Sequence, residues 1–324
     1  MTRAIRFTRT GGPEVLELED IALPELKDGE ALVRHSAVGV NFIDTYHRSG
    51  LYPLPLPSGL GSEAAGVVER VGPGVTCIRV GERVAYAGAG APAAYSEARV
   101  APADRLVPLP DDVSDDVAAA ALLKGMTAEF LIHRTFPVAS GQTVLFHAAA
   151  GGVGLIACQW LHKLGARVLG TVGSDAKREL ALAHGCDEVI VLDRENFPER
   201  VRELTSGRGV PVVFDSIGKS TFLGSLSCLE PRGMMVSFGN ASGKPEPFDL
   251  ALLAQKGSLY VTRPTLFSYV ATREALLSSA SSLFQAIREG LKIEIGQRFP
   301  LAEAQAAHRA LESRRTMGST LLEL

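Results

Sequence analysis

Thr143-Val-Leu-Phe-His-Ala-Ala-Ala-Gly-Gly-Val-Gly154 decides the fold. Thr143 to His147 is a short apolar run with β-branched and aromatic residues, the pattern of a buried strand. Three glycines, Gly151, Gly152 and Gly154, follow it and open a helical pattern that runs from Val153 to Leu164. A glycine lets backbone N–H groups approach a pyrophosphate with no Cβ in the way. The helix start adds unsatisfied donors and the positive end of the dipole. The spacing Ala148-x-x-Gly151-x-x-Gly154 departs from Gly-x-Gly-x-x-Gly, so the turn is a weak signal by itself.

The context strengthens it. Beyond the turn the chain alternates strand and helix. Strands are expected at Arg167–Val172, Glu188–Leu192, Val210–Phe214, Gly233–Phe238 and Ser258–Thr262, with helices at Ala176–Ala183, Pro198–Thr205 and Thr221–Leu229. Continuously apolar strands separated by helices mean a parallel sheet covered on both faces. With Thr143–His147 the strands number six, a complete dinucleotide-binding (Rossmann) domain in an α/β protein. A helix is also expected across Asp111–Phe136. After Pro264 the alternation stops. Two helices, Tyr269–Glu289 and Glu303–Ser313, and a last strand, Ser319–Leu324, are assigned back to the first part of the chain.

That first part, to about residue 110, reads as β-rich. Short apolar runs such as Glu30-Ala-Leu-Val-Arg-His35 and Ala65-Gly-Val-Val-Glu-Arg-Val71 are bounded by Gly, Pro and Asp. Such a pattern suggests an antiparallel, partly barrel-like domain. The expected division is 1–122 with 265–324 for this domain and 123–264 for the dinucleotide domain. A length of 324 residues suits two domains.

Composition narrows the classes. Charged residues make up 21% and the net charge is −3, with no basic block, so a nucleic-acid partner held through phosphates is not expected. No apolar run reaches the length of a membrane span, and no apolar leader follows Arg3 and Arg6. The cysteines, Cys77, Cys158, Cys186 and Cys228, form no close pair. They read as small buried hydrophobes in a reducing cytoplasm.

The end of the second strand separates NAD from NADP. An acidic residue there binds the ribose 2′-hydroxyl and repels a 2′-phosphate. Here Val172 is followed by Gly173 and Ser174, then by Asp175, Lys177 and Arg178. Small residues with Lys177 favour the phosphate; Asp175 opposes it. Phe238, Gly239 and Asn240 follow the fifth strand, at the carboxyl edge where such sheets bind ligands.

Ordered motifs along the whole chain resemble the zinc-free quinone oxidoreductase (zeta-crystallin-like) branch of the medium-chain dehydrogenase/reductase superfamily. They are Gly11-Gly-Pro-Glu-Val-Leu16, Gly39-Val-Asn-Phe-Ile-Asp-Thr-Tyr46, Gly61-Ser-Glu-Ala-Ala-Gly66, Gly72-Pro-Gly-Val75, Gly81-Glu-Arg-Val84, Lys124-Gly-Met-Thr127, His147 to Gly154, Ser237-Phe-Gly-Asn240 and Thr262-Arg-Pro264. The resemblance implies a GroES-like catalytic domain split around a Rossmann domain, NADPH in the cleft between them, a small-molecule quinone as substrate and a homodimer built through the Rossmann sheets. It implies that Asn41, Tyr46, Tyr52 and Arg263 surround the nicotinamide and the quinone. Asn41, Tyr46, Lys124, Thr127, Gly151, Gly152, Val153, Gly154, Gly173, Ser174, Lys177, Ser216, Phe238, Gly239, Asn240 and Arg263 are the implied cofactor contacts. Close relatives carry Asn-Tyr after the third strand; Val191-Leu192 stands here, without the hydroxyl.

Zinc-dependent members of the superfamily use an early thiolate, the His of a Gly-His-Glu element and a later thiolate. The corresponding residues here are Asn41 and Gly61-Ser62-Glu63, and no cysteine lies between Cys77 and Cys158. A tetrahedral N/S site cannot be assembled from these, so no metal is expected and Glu63 reads as a structural carboxylate. His147 reads as a structural hydrogen-bonding residue. The expected chemistry is direct hydride transfer to a quinone. The alternatives are reduction of an enone or alkenal double bond, and a non-catalytic structural or RNA-binding role.

Overall fold

Strands dominate before Pro110, and strand and helix alternate after Thr143, as the patterning predicts. The computed structural model describes residues 1–324. Its strands are β1 (Thr2–Phe7), β2 (Glu17–Ile21), β3 (Glu30–Val40), β4 (Ser58–Gly59), β5 (Glu63–Val71), β6 (Arg83–Ala87), β7 (Ala98–Pro102), β8 (Val107–Pro108), β9 (Thr143–Phe146), β10 (Arg167–Val172), β11 (Glu188–Val191), β12 (Val210–Asp215), β13 (Leu229–Ser237), β14 (Tyr260–Thr262), β15 (Ile295–Pro300) and β16 (Ser319–Glu323). Its helices are α1 (Phe42–Ser49), α2 (Asp115–Glu129), α3 (Gly152–Lys163), α4 (Arg178–Ala183), α5 (Phe197–Leu204), α6 (Phe222–Cys228), α7 (Ala251–Gln255), α8 (Leu266–Tyr269), α9 (Arg273–Arg288) and α10 (Ala304–Glu312).

The chain forms two units, described separately. One comprises Thr127–Tyr269 with Arg288–Lys292. Its six strands form a parallel sheet in the order β11-β10-β9-β12-β13-β14, the doubly wound arrangement expected from the sequence. The order reverses between β9 and β12, and the carboxyl ends there open onto the Gly-rich turn. Leu145, Leu169, Ile190, Val213, Phe222 and Met235 are buried together as a core. Removing such side chains from water is the main force assembling this layer.

The other unit comprises Met1–Met126, Val270–Ile287 and Ile293–Leu324. Its larger sheet runs β15-β16-β3-β5-β6-β8, with β7 also paired to β3; β2-β1-β4 form a smaller sheet. Val33, Val68, Tyr86, Leu106 and Leu322 lie in its core.

Some elements escape the sequence patterns. The helix expected over Asp111–Phe136 starts at Asp115, and after Glu129 it widens into a π-helical stretch, Phe130–Thr135. Phe130, Leu131 and Ile132 are all buried there, and Phe130 stacks on Tyr269 with ring centroids 4.5 Å apart. Bringing bulky consecutive residues inward is what a wider turn allows. Helix α1 lies in the region read as strands. Its start is marked by Asn41 and Asp44, whose carboxylate accepts the Asn41 N–H at 2.8 Å. Strand β15 alternates half-buried and exposed positions with few apolar residues, which leaves little periodicity to read. Cys158, Cys186 and Cys228 are buried as expected, but Cys77 is exposed: it lies beyond β5, outside the core, with its thiol 3.5 Å from the Ala103 carbonyl.

Candidate active site

The Gly-rich turn is held from beneath by His147. This fully buried ring bonds Thr171 Oγ1 through Nδ1 (2.8 Å) and Ser225 Oγ through Nε2 (2.9 Å), and meets Phe197 edge-on. Burial lowers its pKa, so it stands as a neutral structural ring, the role expected of it. Ala148 then takes φ 55°, and its carbonyl accepts the Gly151 N–H at 2.9 Å. Gly151 caps α3, whose first intrahelical bond runs from Leu155 N–H to the Gly151 carbonyl. The amides of Gly152, Val153 and Gly154 thus belong to the turn whose donors a helix leaves for an outside acceptor. A Cβ on Gly154 would stand 2.3 Å from the Ala148 carbonyl oxygen. Only glycine lets the helix start this close to the strand end.

The next edges of the sheet carry further expected contacts. After β10, Gly173 is open: a Cβ there would meet nothing within 4 Å. Lys177 is half-buried, and burial lowers its pKa. At the end of β12, Asp215 accepts from Ile217 N–H (2.7 Å), Gly218 N–H (3.0 Å), Thr221 Oγ1 (2.7 Å) and Ser225 Oγ (3.1 Å). These bonds fix the turn that contains Ser216, against which Gly239 packs. Beyond β13, Arg263 Nη1 donates to Ser237 Oγ (3.1 Å) and to the Gly239 carbonyl (2.8 Å). The Asn240 amide, with its oxygen toward Arg263 Nη2 at 3.1 Å, completes the group. Phe238 stands against Phe146, ring centroids 5.9 Å apart. Arg263, Phe238, Gly239 and Asn240 are therefore one cluster at the carboxyl edge of the sheet.

In the other unit a second cluster forms around Glu63, which is fully buried. Its Oε1 accepts the Leu123 N–H at 2.6 Å. Its Oε2 accepts Asn41 Nδ2 at 2.8 Å and Lys124 Nζ at 3.1 Å. Gly39 makes room for it: a Cβ there would stand 2.5 Å from Glu63 Oε2. The sequence named Asn41, Glu63 and Lys124 separately; the fold joins them. Thr127, one turn later on α2 and the first residue of the unit with the parallel sheet, is also buried.

Next to this cluster Asp44 is fully buried. Its Oδ2 accepts from Asn41 N–H and from the Tyr95 hydroxyl (3.0 Å), and its Oδ1 lies 3.5 Å from Ser62 Oγ. Burial pushes its carboxyl up to about 7. The Tyr95 oxygen also meets His308 Nε2 (3.1 Å), and Arg48 Nη1 donates to His308 Nδ1 (3.0 Å). Asp44, Arg48, Tyr95 and His308 were not singled out from the sequence for function; the Asn-x-x-Asp cap was the signal available for Asp44. On α1, Tyr46 is buried and meets Tyr52 edge-on, centroids 5.2 Å apart. His47 stands 6.0 Å from Tyr52.

Comparison with known proteins agrees with both halves. Residues 27–111 match the model of the alcohol dehydrogenase GroES-like domain, and residues 152–280 match that of the zinc-binding dehydrogenases. A Pseudomonas aeruginosa quinone oxidoreductase is 55% identical, with 99% of each chain covered. A Burkholderia 2-haloacrylate reductase is 45% identical, with 99% of each covered. The crystal structure of Escherichia coli quinone oxidoreductase complexed with NADPH superposes with a TM-score of 0.98 at 48% identity, covering 99% of this chain and 100% of that one.

The zinc in the name of the zinc-binding dehydrogenases does not fit the donors present here. No group of three His, Cys, Asp or Glu side chains is arranged to hold a metal ion. The early ligand position is the Asn41 amide, Ser62 stands in the Gly-x-Glu element, and Glu63 already holds the Lys124 ammonium, which would repel a second cation. At these identities, and along its whole length, the chain belongs to the quinone oxidoreductase family of the medium-chain dehydrogenase/reductase superfamily.

Proposed function

We propose that this protein is an NADPH-dependent quinone reductase that works without zinc. The observation that carries the reading is the first turn of α3 pressed onto the end of β9, at the switch point of a six-stranded parallel sheet. The NADPH complex of the E. coli relative supports the choice of cofactor. When bound, NADPH supplies the hydride.

The chain's own residues bind, orient and exclude water. The amides of Gly152, Val153 and Gly154 receive the pyrophosphate, and Gly173, Ser174 and Lys177 receive the adenosine ribose. Ser216, Phe238, Gly239 and Asn240 line the sheet edge beside it. Asn41, Tyr46, Lys124 and Thr127 are assigned to the nicotinamide side. Tyr46 and Tyr52 offer ring faces and phenol donors to a quinone. Arg263, anchored by Ser237 and Gly239, presents a cation to the oxygen that gains charge as the quinone is reduced. Residues 123–264 are proposed as the dinucleotide domain and residues 1–122 with 265–324 as the catalytic domain.

We further propose a homodimer paired through β14, an exposed edge of the parallel sheet. Tyr260 is 59% exposed, and Leu250 nearby in sequence is 72% exposed. Such an apolar edge suits pairing with a second copy. A cytoplasmic location suits four unpaired thiols, and no helix is long and apolar enough to cross a membrane.

The test is NADPH oxidation by purified protein with a small quinone, an alkenal and a 2-haloacrylate in parallel. Turnover highest on the quinone supports the proposal. Turnover on the two alkenes alone moves the assignment to double-bond reduction, which the 2-haloacrylate reductase relative favours as second reading. No turnover with any quinone refutes the proposal.

A further inference from the structure

Leu192 offers no hydroxyl beyond the end of β11, and Asp175 places a negative charge beyond the end of β10, where a carboxylate opposes a 2′-phosphate. The fold supplies a residue that answers both. Strands β10 and β11 pair in parallel with Val172 opposite Val191, and the Leu192 N–H donates to the Val172 carbonyl at 2.9 Å. Residues 192–195 therefore emerge at the same edge as 173–177. Their turn is locked: Arg194 and Glu195 N–H both donate to the Val191 carbonyl (3.2 and 2.9 Å), and Glu195 Oε1 accepts the Val191 N–H at 2.8 Å. Arg194 reaches back from this turn. Its Nη2 lies 2.8 Å from Asp175 Oδ1, and its Nε lies 4.0 Å from Glu195 Oε1.

In doubly wound sheets this is where the ribose 2′ group is read. A carboxylate there selects NAD, and a nearby arginine accommodates the phosphate of NADP. Asp175, read alone, would reject the phosphate; paired with Arg194 it is neutralised. The pair is exposed, 52% and 62% at the two side chains, so it contributes little to folding and its guanidinium can change partners. A guanidinium fork suits phosphate oxygens, and a phosphate dianion outcompetes a single carboxylate for it. We infer that Arg194 is the second cation, beside Lys177, that recognises the 2′-phosphate, with Asp175 holding it over the strand end until the phosphate displaces the carboxylate. The inference rests on the NADPH reading above.

Calorimetric titration with 2′,5′-ADP and with 5′-AMP isolates this contact from catalysis. The wild type is expected to prefer 2′,5′-ADP. Arg194→Gln should lower that preference about tenfold, the size of one charge-assisted contact. Arg194→Lys should retain part of it, which separates charge from loop shape. Asp175→Asn should raise the preference, because a competing carboxylate is gone; a fall would overturn the competition between the two anions. An unchanged preference in Arg194→Gln overturns the inference while leaving NADPH as cofactor. A wild type with no preference overturns the NADPH reading, and the inference with it.

Discussion

Replacing Asp44 with asparagine should stabilise the protein at pH 8 far more than at pH 5. The carboxyl is fully buried, and burial raises it from 3.8 to about 7. The rise amounts to a cost of ~4 kcal/mol for keeping the carboxylate in the fold. The sign follows from linkage. A folded-state pKa above the unfolded value means that the native state holds the proton longer. Stability from this group is complete below pH 3.8 and is lost as pH rises toward 7. About 1.6 kcal/mol of the cost is present at pH 5 and ~4 kcal/mol at pH 8, a difference of ~2.5 kcal/mol. An asparagine oxygen can accept the same Asn41 N–H and Tyr95 hydroxyl, and its NH2 group faces Ser62 Oγ. Asp44→Asn never ionises, so it escapes the pH-dependent part. His35 and His308, lowered by burial to about 4 and about 3, work in the opposite sense and lose stability as pH falls. They are present in both proteins and cancel in the difference. Urea unfolding of wild type and Asp44→Asn at pH 5 and pH 8 measures it. An equal stability difference at the two pH values would refute the burial argument.

Three further outcomes are expected. Lys124→Met leaves the buried Glu63 carboxylate without its cation and should cost ~3 kcal/mol in urea unfolding; adding Glu63→Gln should restore much of that loss. Gly154→Val drives its Cβ into the Ala148 carbonyl and should weaken NADPH binding, read by quenching of the single Trp160, by at least about tenfold, the loss of one charge-assisted hydrogen bond or more. Val261→Lys, at a β14 position 36% exposed, should shift the protein from dimer to monomer in light scattering; an unchanged mass would place the interface elsewhere.

The Rossmann half was legible because its signals are local. Continuous apolar strands, helical spacing and one Gly-rich turn each occupy a few consecutive residues, and the six-stranded order follows from their alternation. The first unit was legible only as β-rich. Its sheet joins β3 to β16 from the far end of the chain, and β15 carries almost no periodicity. Helix α1 hid among strands because its strongest mark is a cap rather than a long amphipathic stripe.

Ordered short motifs determined the family and the Gly-rich turn, and residue types alone determined the poor fit to zinc, since a tight turn needs glycine and a thiolate site needs cysteine wherever the chain goes. Tertiary structure decided what each polar group faces. Lys124 is one charge among many in the sequence; in the fold it meets Glu63 from 61 residues away and takes the position of a counter-ion. Arg194 lies in an unremarked loop until β10 and β11 pair and bring it to Asp175. Charge interactions depend on distance and burial, and neither is a property of the residue alone.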